Sequence, residues 1–221
     1  MQGVIFDMDG VLVASGPAHL ASWKMLARKS GIDFDEAQFR ATFGQTSRDI
    51  LRMFWGEDLN EQQIRVLDDE KEAIYRELID GVVPLTIGIR ETLHGLATGG
   101  FVLSVATSGP PENLAAVVDT TGLASYFKAQ VHGRDVPRGK PAPDVFLLAA
   151  ERCGLAPQAC VVVEDAPAGI EAAQAAGMPV VGLIGTHPLE TLADAGATVT
   201  VEMLGQITPE LVTGLLSATS R

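Results

Sequence analysis

The sequence predicts an α/β fold in which a doubly wound parallel sheet forms the core and a helical domain is inserted after the first strand. Two observations predict the sheet: short apolar runs recur along the chain, and segments with helical spacing of apolar residues lie between them. A third observation predicts the insertion, because residues 17–80 interrupt this alternation with helical spacing alone.

The apolar runs at residues 4–6, 101–106, 159–163, 179–184 and 197–201 are short enough for strands. Several are almost continuously hydrophobic, which is typical of strands buried on both faces. Helical patterns cover residues 87–97, 112–121, 143–153, 168–176 and 189–195. Strands that alternate with helices in this way indicate a Rossmann-like parallel sheet covered on both sides.

The inserted segment shows apolar residues three and four positions apart, for example at Ile50, Leu51 and Phe54. This spacing predicts a bundle of about four helices. Glycine and proline punctuate residues 13–16 and 81–84, which are the expected hinges. The sequence therefore predicts a Rossmann-like catalytic core of residues 1–15 and 82–221 and a helical cap domain of residues 16–81.

Composition excludes several classes of partner. Of the 221 residues, 47% are apolar and 20% charged, and the formal net charge of −12 repels nucleic acid and anionic membrane surfaces. The N-terminus lacks the basic start of a secretory signal, and no segment approaches the roughly 20 apolar residues of a membrane span. We expect a cytoplasmic monomer or small homo-oligomer, with reduced, buried thiols at Cys153 and Cys160.

The first strand ends at two acids, Asp7 and Asp9, separated by Met8. Residues two apart in extended chain point the same way, so both carboxylates can face one pocket while Met8 points into the protein. Gly10 then permits a tight turn. Two neighbouring carboxylates repel each other, and this pair therefore requires a cation or a shifted pKa unless the acids merely cap the strand.

Other strand ends carry polar residues too. Thr107 and Ser108 follow the second core strand, and Glu164 and Asp165 follow a later one. In a doubly wound sheet, ligands bind beyond the carboxyl ends of the strands, where these groups should converge.

Between these strands lies a small basic island within an acidic chain: Arg134, Arg138 and Lys140. A lysine in such a loop is commonly solvated. Its place beside several converging strand ends instead favours a role in the same crevice.

These segments together resemble the haloacid dehalogenase-like hydrolases. The resemblance rests on "FDMDGVL", "ATSG", "GKPAPDVF" and "EDAPAGIEAAQAAGM", and it spans the whole chain. It is closest to the branch with a helical cap, which holds phosphoglycolate phosphatase-like and β-phosphoglucomutase-like enzymes.

The resemblance implies a role for each matching residue. Asp7 would be the nucleophile that forms an aspartyl phosphate, and Asp9 the general acid and then the base. Mg²⁺ would be held by the Asp7 side chain, the Asp9 carbonyl and Asp165, with Glu164 in or near the shell, because this ion prefers hard oxygen ligands.

The remaining matches would bind the phosphoryl group. Thr107 and the backbone N–H of Ser108 would hold its oxygens, and Lys140 would neutralise charge shared with Asp7. Asp9 also separates the chain from dehalogenases, which have no use for a second acid at that position.

A mutase is the rival interpretation. His19 and Lys71 lie where related mutases carry cap residues for a sugar phosphate, although exposed helix positions are the alternative for both. Ser47 stands where the mutase has a phosphate-binding arginine. Arg48, one place on, is a candidate substrate-binding residue with His19 and Lys71 if the loop is shifted. The hinge also departs from relatives, which often carry Asp, then Ser or Thr, then an acidic residue where this chain has Ala14, Ser15 and Gly16.

The sequence thus predicts a Mg²⁺-dependent phosphatase for a small phosphorylated metabolite, with a sugar or polyol phosphate as the expected substrate. The alternatives are a β-phosphoglucomutase-like mutase and, from a different class, a non-catalytic protein that binds a phosphorylated ligand.

Overall fold

The computed structural model describes residues 1–219, which form a six-stranded parallel sheet in the order β3-β2-β1-β4-β5-β6. The strands are β1 (Gly3–Phe6), β2 (Val102–Ala106), β3 (Ala129–Val131), β4 (Cys160–Glu164), β5 (Val180–Leu183) and β6 (Val199–Val201). The strand order reverses direction at β1, so the predicted doubly wound sheet is confirmed.

Helices surround this sheet. They are α1 (Gly16–Ser30), α2 (Glu36–Thr42), α3 (Ser47–Trp55), α4 (Glu61–Ile79), α5 (Ile89–Thr98), α6 (Pro111–Val118), α7 (Asp144–Cys153), α8 (Pro167–Ala175), α9 (Leu189–Asp194) and α10 (Pro209–Thr219). We call α1 to α4 the helical insertion; in the described chain, no strand lies between β1 and α5.

The structure contains two elements that were not predicted from the sequence, β3 and α10. β3 is a three-residue strand at the edge of the sheet, and Gln130 breaks its apolar run. α10 buries Val212 and Leu216. Both elements bury few residues, and a pattern of so few positions gives little periodic signal.

The core lies on both faces of the central strand. Val4 and Phe6 pack into one cluster of buried residues, and Ile5 packs into a second cluster on the opposite face. This alternation follows from the two-residue period of a strand. Burying a side chain of this size stabilises the fold by about 1.5–3 kcal/mol, so β1 is firmly held where the site is built.

The helical insertion has a core of its own, centred on Trp23, Leu26 and Phe34. Two backbone hydrogen bonds join its exits to the rest of the chain: Ala14 N donates to Pro84 O at 2.8 Å, and Thr86 N donates to Leu12 O at 3.0 Å. The two connections therefore run side by side next to the end of β1.

Two further predictions concern thiols and membranes. Cys153 and Cys160 are both free and buried, as expected. None of the helices within residues 1–219 is both long and apolar enough to cross a bilayer.

Candidate active site

Strand register brings the predicted residues together. Phe6 pairs with Val105 of β2 on one side and with Val163 of β4 on the other. The residues that follow these three positions therefore meet at one edge of the sheet. Gly10 turns the chain there with φ of +84°, a left-handed conformation that favours glycine, and an added Cβ would overlap the Asp165 carboxylate.

Asp7 and Lys140 form the centre of the site. Lys140 Nζ donates to Asp7 Oδ1 at 2.6 Å and to Glu164 Oε1 at 2.6 Å, and its side chain is only 2% exposed. Met8 is fully buried in the core, as the alternation of a strand predicts. Asp7 is thus held at the strand end with one carboxylate oxygen tied to an ammonium.

Glu164 and Asp165 differ in how their oxygens are used. Glu164 Oε2 accepts hydrogen bonds from the backbone N–H groups of Asp165 and Ala166, at 2.8 and 3.0 Å, while its Oε1 faces Lys140. Asp165 is buried, and neither of its carboxylate oxygens accepts a hydrogen bond of 3.5 Å or less from a residue in the described chain, although the Thr186 side chain is near enough to act on its pKa. An unpartnered buried carboxylate is the group that a cation would satisfy.

The charges fit a divalent metal. Ligand atoms of Asp7, Glu164 and Asp165 all lie within 4.8 Å of one another. Lys140 offsets one of the three negative charges, and a divalent cation would offset the other two. All three donors are hard oxygens, which suit Mg²⁺.

The burial and close approach of these carboxyl groups raise the pKa values of Asp7 and Asp165. Burial, together with Glu164 and Asp9, raises the pKa of Asp7 to about 8 against the lowering effect of Lys140. Burial and the neighbouring charges of Glu164 and Asp7 also raise the pKa of Asp165 well above its ordinary value. Burial and the neighbouring carboxylates therefore favour the protonated forms of Asp7 and Asp165.

Thr107 and Ser108 line the same cavity. Thr107 is buried, and its hydroxyl accepts a hydrogen bond from Gly109 N at 3.0 Å. Ser108 Oγ is buried without a hydrogen-bond partner among residues 1–219. This hydroxyl is thus available to an anionic ligand beside Asp7.

Asp9 faces the helical insertion. His19 Nε2 lies 2.9 Å from Asp9 Oδ1, and the Tyr75 hydroxyl donates to the same oxygen at 3.4 Å. Burial alone would raise the pKa of Asp9, but its contacts with His19, together with the effects of Ser15 and Lys71, outweigh burial and lower it to about 2. Asp9 is therefore a carboxylate in this state, which is the form of a general base.

His19 and Lys71 are buried rather than exposed on helix surfaces. Lys71 Nζ lies 2.8 Å from His19 Nδ1 and donates to Glu72 Oε1 at 2.8 Å. The His19 and Tyr75 rings stack with centroids 3.9 Å apart. The structure thus brings both cap candidates to the cavity, next to Asp9.

The arginines lie elsewhere. Arg48 pairs with Glu61 at 2.6 Å on the surface, and Ser47 lines the cavity in its place. Arg138 pairs with Asp144, also at the surface. Arg134 joins the core to α4 through Asp69 at 2.9 Å. Of the basic island, the described structure places only Lys140 in the cavity.

Several residues that complete the cavity were not predicted. They are the side chains that close it from the helical insertion: Trp23, Phe39, Phe43, Ile50 and Glu72. The cavity is partly open and measures about 70 Å³. Since one water takes about 10–15 Å³ on this measure, the cavity has room for a small ligand.

A Rossmann-like parallel sheet that gathers a buried carboxylate, a lysine and two further acids at the carboxyl ends of its strands is the kind of site at which a carboxylate nucleophile can act. The sequence pattern of the haloacid dehalogenase-like hydrolases matches residues 1–177. The chain belongs to this family.

Two phosphatases and one solved structure are similar to this chain. The chain is 36% identical over 183 residues to fructose-1-phosphate phosphatase of Escherichia coli K12, covering 81% of this chain and 94% of the relative. It is 33% identical over 204 residues to phosphoglycolate phosphatase of Escherichia coli O157:H7, covering 83% and 81%. It also resembles the structure of β-phosphoglucomutase from Clostridium difficile, with a TM-score of 0.88, 25% identity and coverage of 99% and 98%.

Proposed function

We infer that the protein is a Mg²⁺-dependent phosphatase for a small phosphorylated metabolite, a sugar or polyol phosphate, and that it acts through an aspartyl phosphate on Asp7. One observation carries this proposal: the buried Asp7 carboxylate touches Lys140 at 2.6 Å beside Asp165, whose buried oxygens have no donor within the described residues. The phosphatases among the relatives support the reaction class.

The first step forms the acyl phosphate. Asp7 attacks phosphorus and the bond from phosphorus to the ester oxygen breaks. Asp9, which takes up a proton when the anionic phosphate binds beside it, passes this proton to the leaving alkoxide. The Ser108 hydroxyl and the Lys140 ammonium stabilise charge on the phosphoryl oxygens. Mg²⁺ bound by Asp7, the Asp9 carbonyl and Asp165 would reduce repulsion between the carboxylate and the phosphate.

The second step hydrolyses the intermediate. Asp9, now a carboxylate, removes a proton from water, and the resulting attack on phosphorus returns Asp7 and releases phosphate. Its contact with His19 at 2.9 Å favours the carboxylate form. Glu164 acts as a positioning residue in this scheme, because both of its oxygens are engaged by Lys140 and backbone N–H groups.

The helical insertion acts as the cap in this proposal. It contributes His19, Lys71 and the aromatic side chains that close the cavity from above the strand ends. Such a cover excludes bulk water during phosphoryl transfer.

The test measures phosphate release from sugar, polyol and small-acid phosphates, with p-nitrophenyl phosphate as an activated substrate. We expect release that requires Mg²⁺, stops in EDTA and falls by at least about 10³-fold in Asp7→Asn, because the nucleophile is lost. Arg138→Gln, at the surface, is the control. Normal turnover by a folded Asp7→Asn protein would refute the proposal.

A mutase is the second candidate, favoured by the buried contacts of His19 with Asp9 and Lys71 and by the similarity to β-phosphoglucomutase. It predicts isomerisation of a sugar phosphate that depends on a bisphosphate activator and releases no free phosphate. The outward position of Arg48 weighs against it.

A further inference from the structure

Two ammonium groups reach the cavity from the described residues, one at each end. Lys140 lies at the phosphoryl end with Asp7 and Glu164. Lys71 lies at the other end, linked through His19 to Asp9, the proposed proton donor to the leaving group. The charge around Lys71 therefore acts on the leaving alcohol.

The positive charge of Lys71 is already neutralised by Glu72. Its Nζ is 2.8 Å from Glu72 Oε1 and lies over the rings of Trp23 and Tyr75, at 5.1 and 5.7 Å from their centroids. The side chains of Lys71 and Glu72 are 3% and 5% exposed. Water therefore does little to screen this pair.

Glu72 is fixed by contacts outside its own helix. Its Oε2 accepts a hydrogen bond from Asn113 Nδ2 of α6 at 2.6 Å, and Asn113 Oδ1 accepts one from Arg76 at 2.8 Å. Ser47 Oγ donates to Oε1 at 3.3 Å. Burial alone would raise the pKa of Glu72, but Lys71 and the other neighbours hold it below its ordinary value, so the group is ionised.

The part of the cavity around Asp9, His19 and Lys71, where the leaving group would lie, therefore offers no positive charge that is free to pair with a ligand. Glu72 cancels the charge of Lys71, and His19 is engaged by its contacts with Asp9 and Lys71. A carboxylate or second phosphate on the leaving group would lose its hydration on entering this buried space without gaining a free cation.

We propose that Glu72 is a specificity-determining residue that makes the enzyme select phosphate monoesters whose leaving alcohol is uncharged. The inference rests on the proposed phosphatase function and deepens it. Uncharged polyhydroxy alcohols are accepted, whereas hydroxy acids and alcohols that carry a second phosphate are rejected. Glu72 does not enter the chemical steps; it sets the charge that the leaving group meets.

Matched pairs of substrates test this directly. Glycerol 3-phosphate and 3-phosphoglycerate share a carbon skeleton and differ by a terminal hydroxymethyl or carboxylate group. The pair of 2-hydroxyethyl phosphate and phosphoglycolate differs in the same way. We expect the wild-type kcat/KM to favour the neutral member of each pair by roughly 10- to 100-fold, from one uncompensated charge at short range.

The variant Glu72→Gln removes the charge and keeps the shape. We expect it to reduce the neutral-to-acid ratio by at least about tenfold, whereas Glu77→Gln, an exposed carboxylate on the same helix, leaves the ratio unchanged. Lys71→Gln leaves Glu72 without its cation. This variant should keep the neutral-to-acid ratio of kcat/KM unchanged or increase it. Thermal unfolding of each variant verifies folding.

The outcomes separate the two proposals. A wild-type enzyme that treats both members alike or prefers the acid overturns the inference without any variant. A ratio that stays constant in folded Glu72→Gln, or narrows in Lys71→Gln, overturns it as well. If no ester, including p-nitrophenyl phosphate, releases phosphate with Mg²⁺, it is the proposed phosphatase function that fails.

Discussion

Replacing Lys140 by methionine removes the ammonium that Asp7 and Glu164 share and keeps much of the aliphatic side chain. Each of its two contacts is 2.6 Å long, and the residue is buried. The variant leaves three buried carboxyl groups, those of Asp7, Glu164 and Asp165, without a cation. It therefore isolates the electrostatic role of the lysine.

The magnitude follows from burial. Removing one partner of a buried ion pair costs about 3–5 kcal/mol, because an uncompensated charge remains. For a chain of this size, each kcal/mol changes Tm by about 2–4 °C, so we expect a decrease of roughly 6–20 °C. The control Lys29→Met breaks a surface pair with Glu70 and should cost less than about 1 kcal/mol.

The assays are thermal unfolding, which gives Tm, and urea unfolding, which gives the free energy of unfolding, of both variants in EDTA at pH 5 and pH 8, before and after addition of Mg²⁺. Burial and like charges raise the folded pKa of Asp7 above its unfolded value, so stability from this group is present at low pH and lost as pH rises toward about 8. The loss of unfolding free energy caused by Lys140→Met should be smaller at pH 5 than at pH 8, and Mg²⁺ should reduce this loss. A loss at pH 8 no larger than that of Lys29→Met would refute the reasoning.

Two further predictions concern the metal side and the proton donor. Gly169→Ala places a Cβ against the Glu164 carboxylate, so we expect Mg²⁺ to lose most of its stabilising effect on this variant in thermal unfolding. The control is Gly214→Ala, at an exposed helix position with open space around it. This control should stabilise the protein by about 0.5–1 kcal/mol. Equal Mg²⁺ responses in the two variants would contradict this. His19→Ala removes the main group that lowers the pKa of Asp9, so the limb of the kcat/KM profile that reports Asp9 should move to higher pH; an unmoved limb would contradict the assigned contact.

The core half of the site was predictable from sequence because its residues follow strands. Parallel strands in register must bring their ends together, and Asp7, Thr107 and Asp165 each come directly or almost directly after a strand. Lys140 reaches the same place from a loop. Its place in the crevice was expected because its loop lies beside the converging strand ends, whereas its role next to Asp7 was implied by the family resemblance.

The half contributed by the helical insertion was less predictable. Successive helix residues point about 100° apart, so nothing in the sequence indicates that Lys71 and Glu72 both reach the cavity. That placement depends on the packing of α4 against α6, where Glu72 meets Asn113. Arg48 shows the reverse case, since a charged residue next to a cavity-lining position pairs with Glu61 at the surface.

A phosphorylated Asp7 is the central claim, and trapping it is the most direct test. The variant Asp9→Asn should accumulate the intermediate from p-nitrophenyl phosphate with Mg²⁺, because this leaving group needs no proton while no carboxylate remains to activate water. Borohydride reduces an acyl phosphate to an alcohol, which mass spectrometry locates. We predict reduction at Asp7 that depends on substrate and Mg²⁺. Phosphate release without any reduced residue, or with the modification at a different residue, would contradict the account.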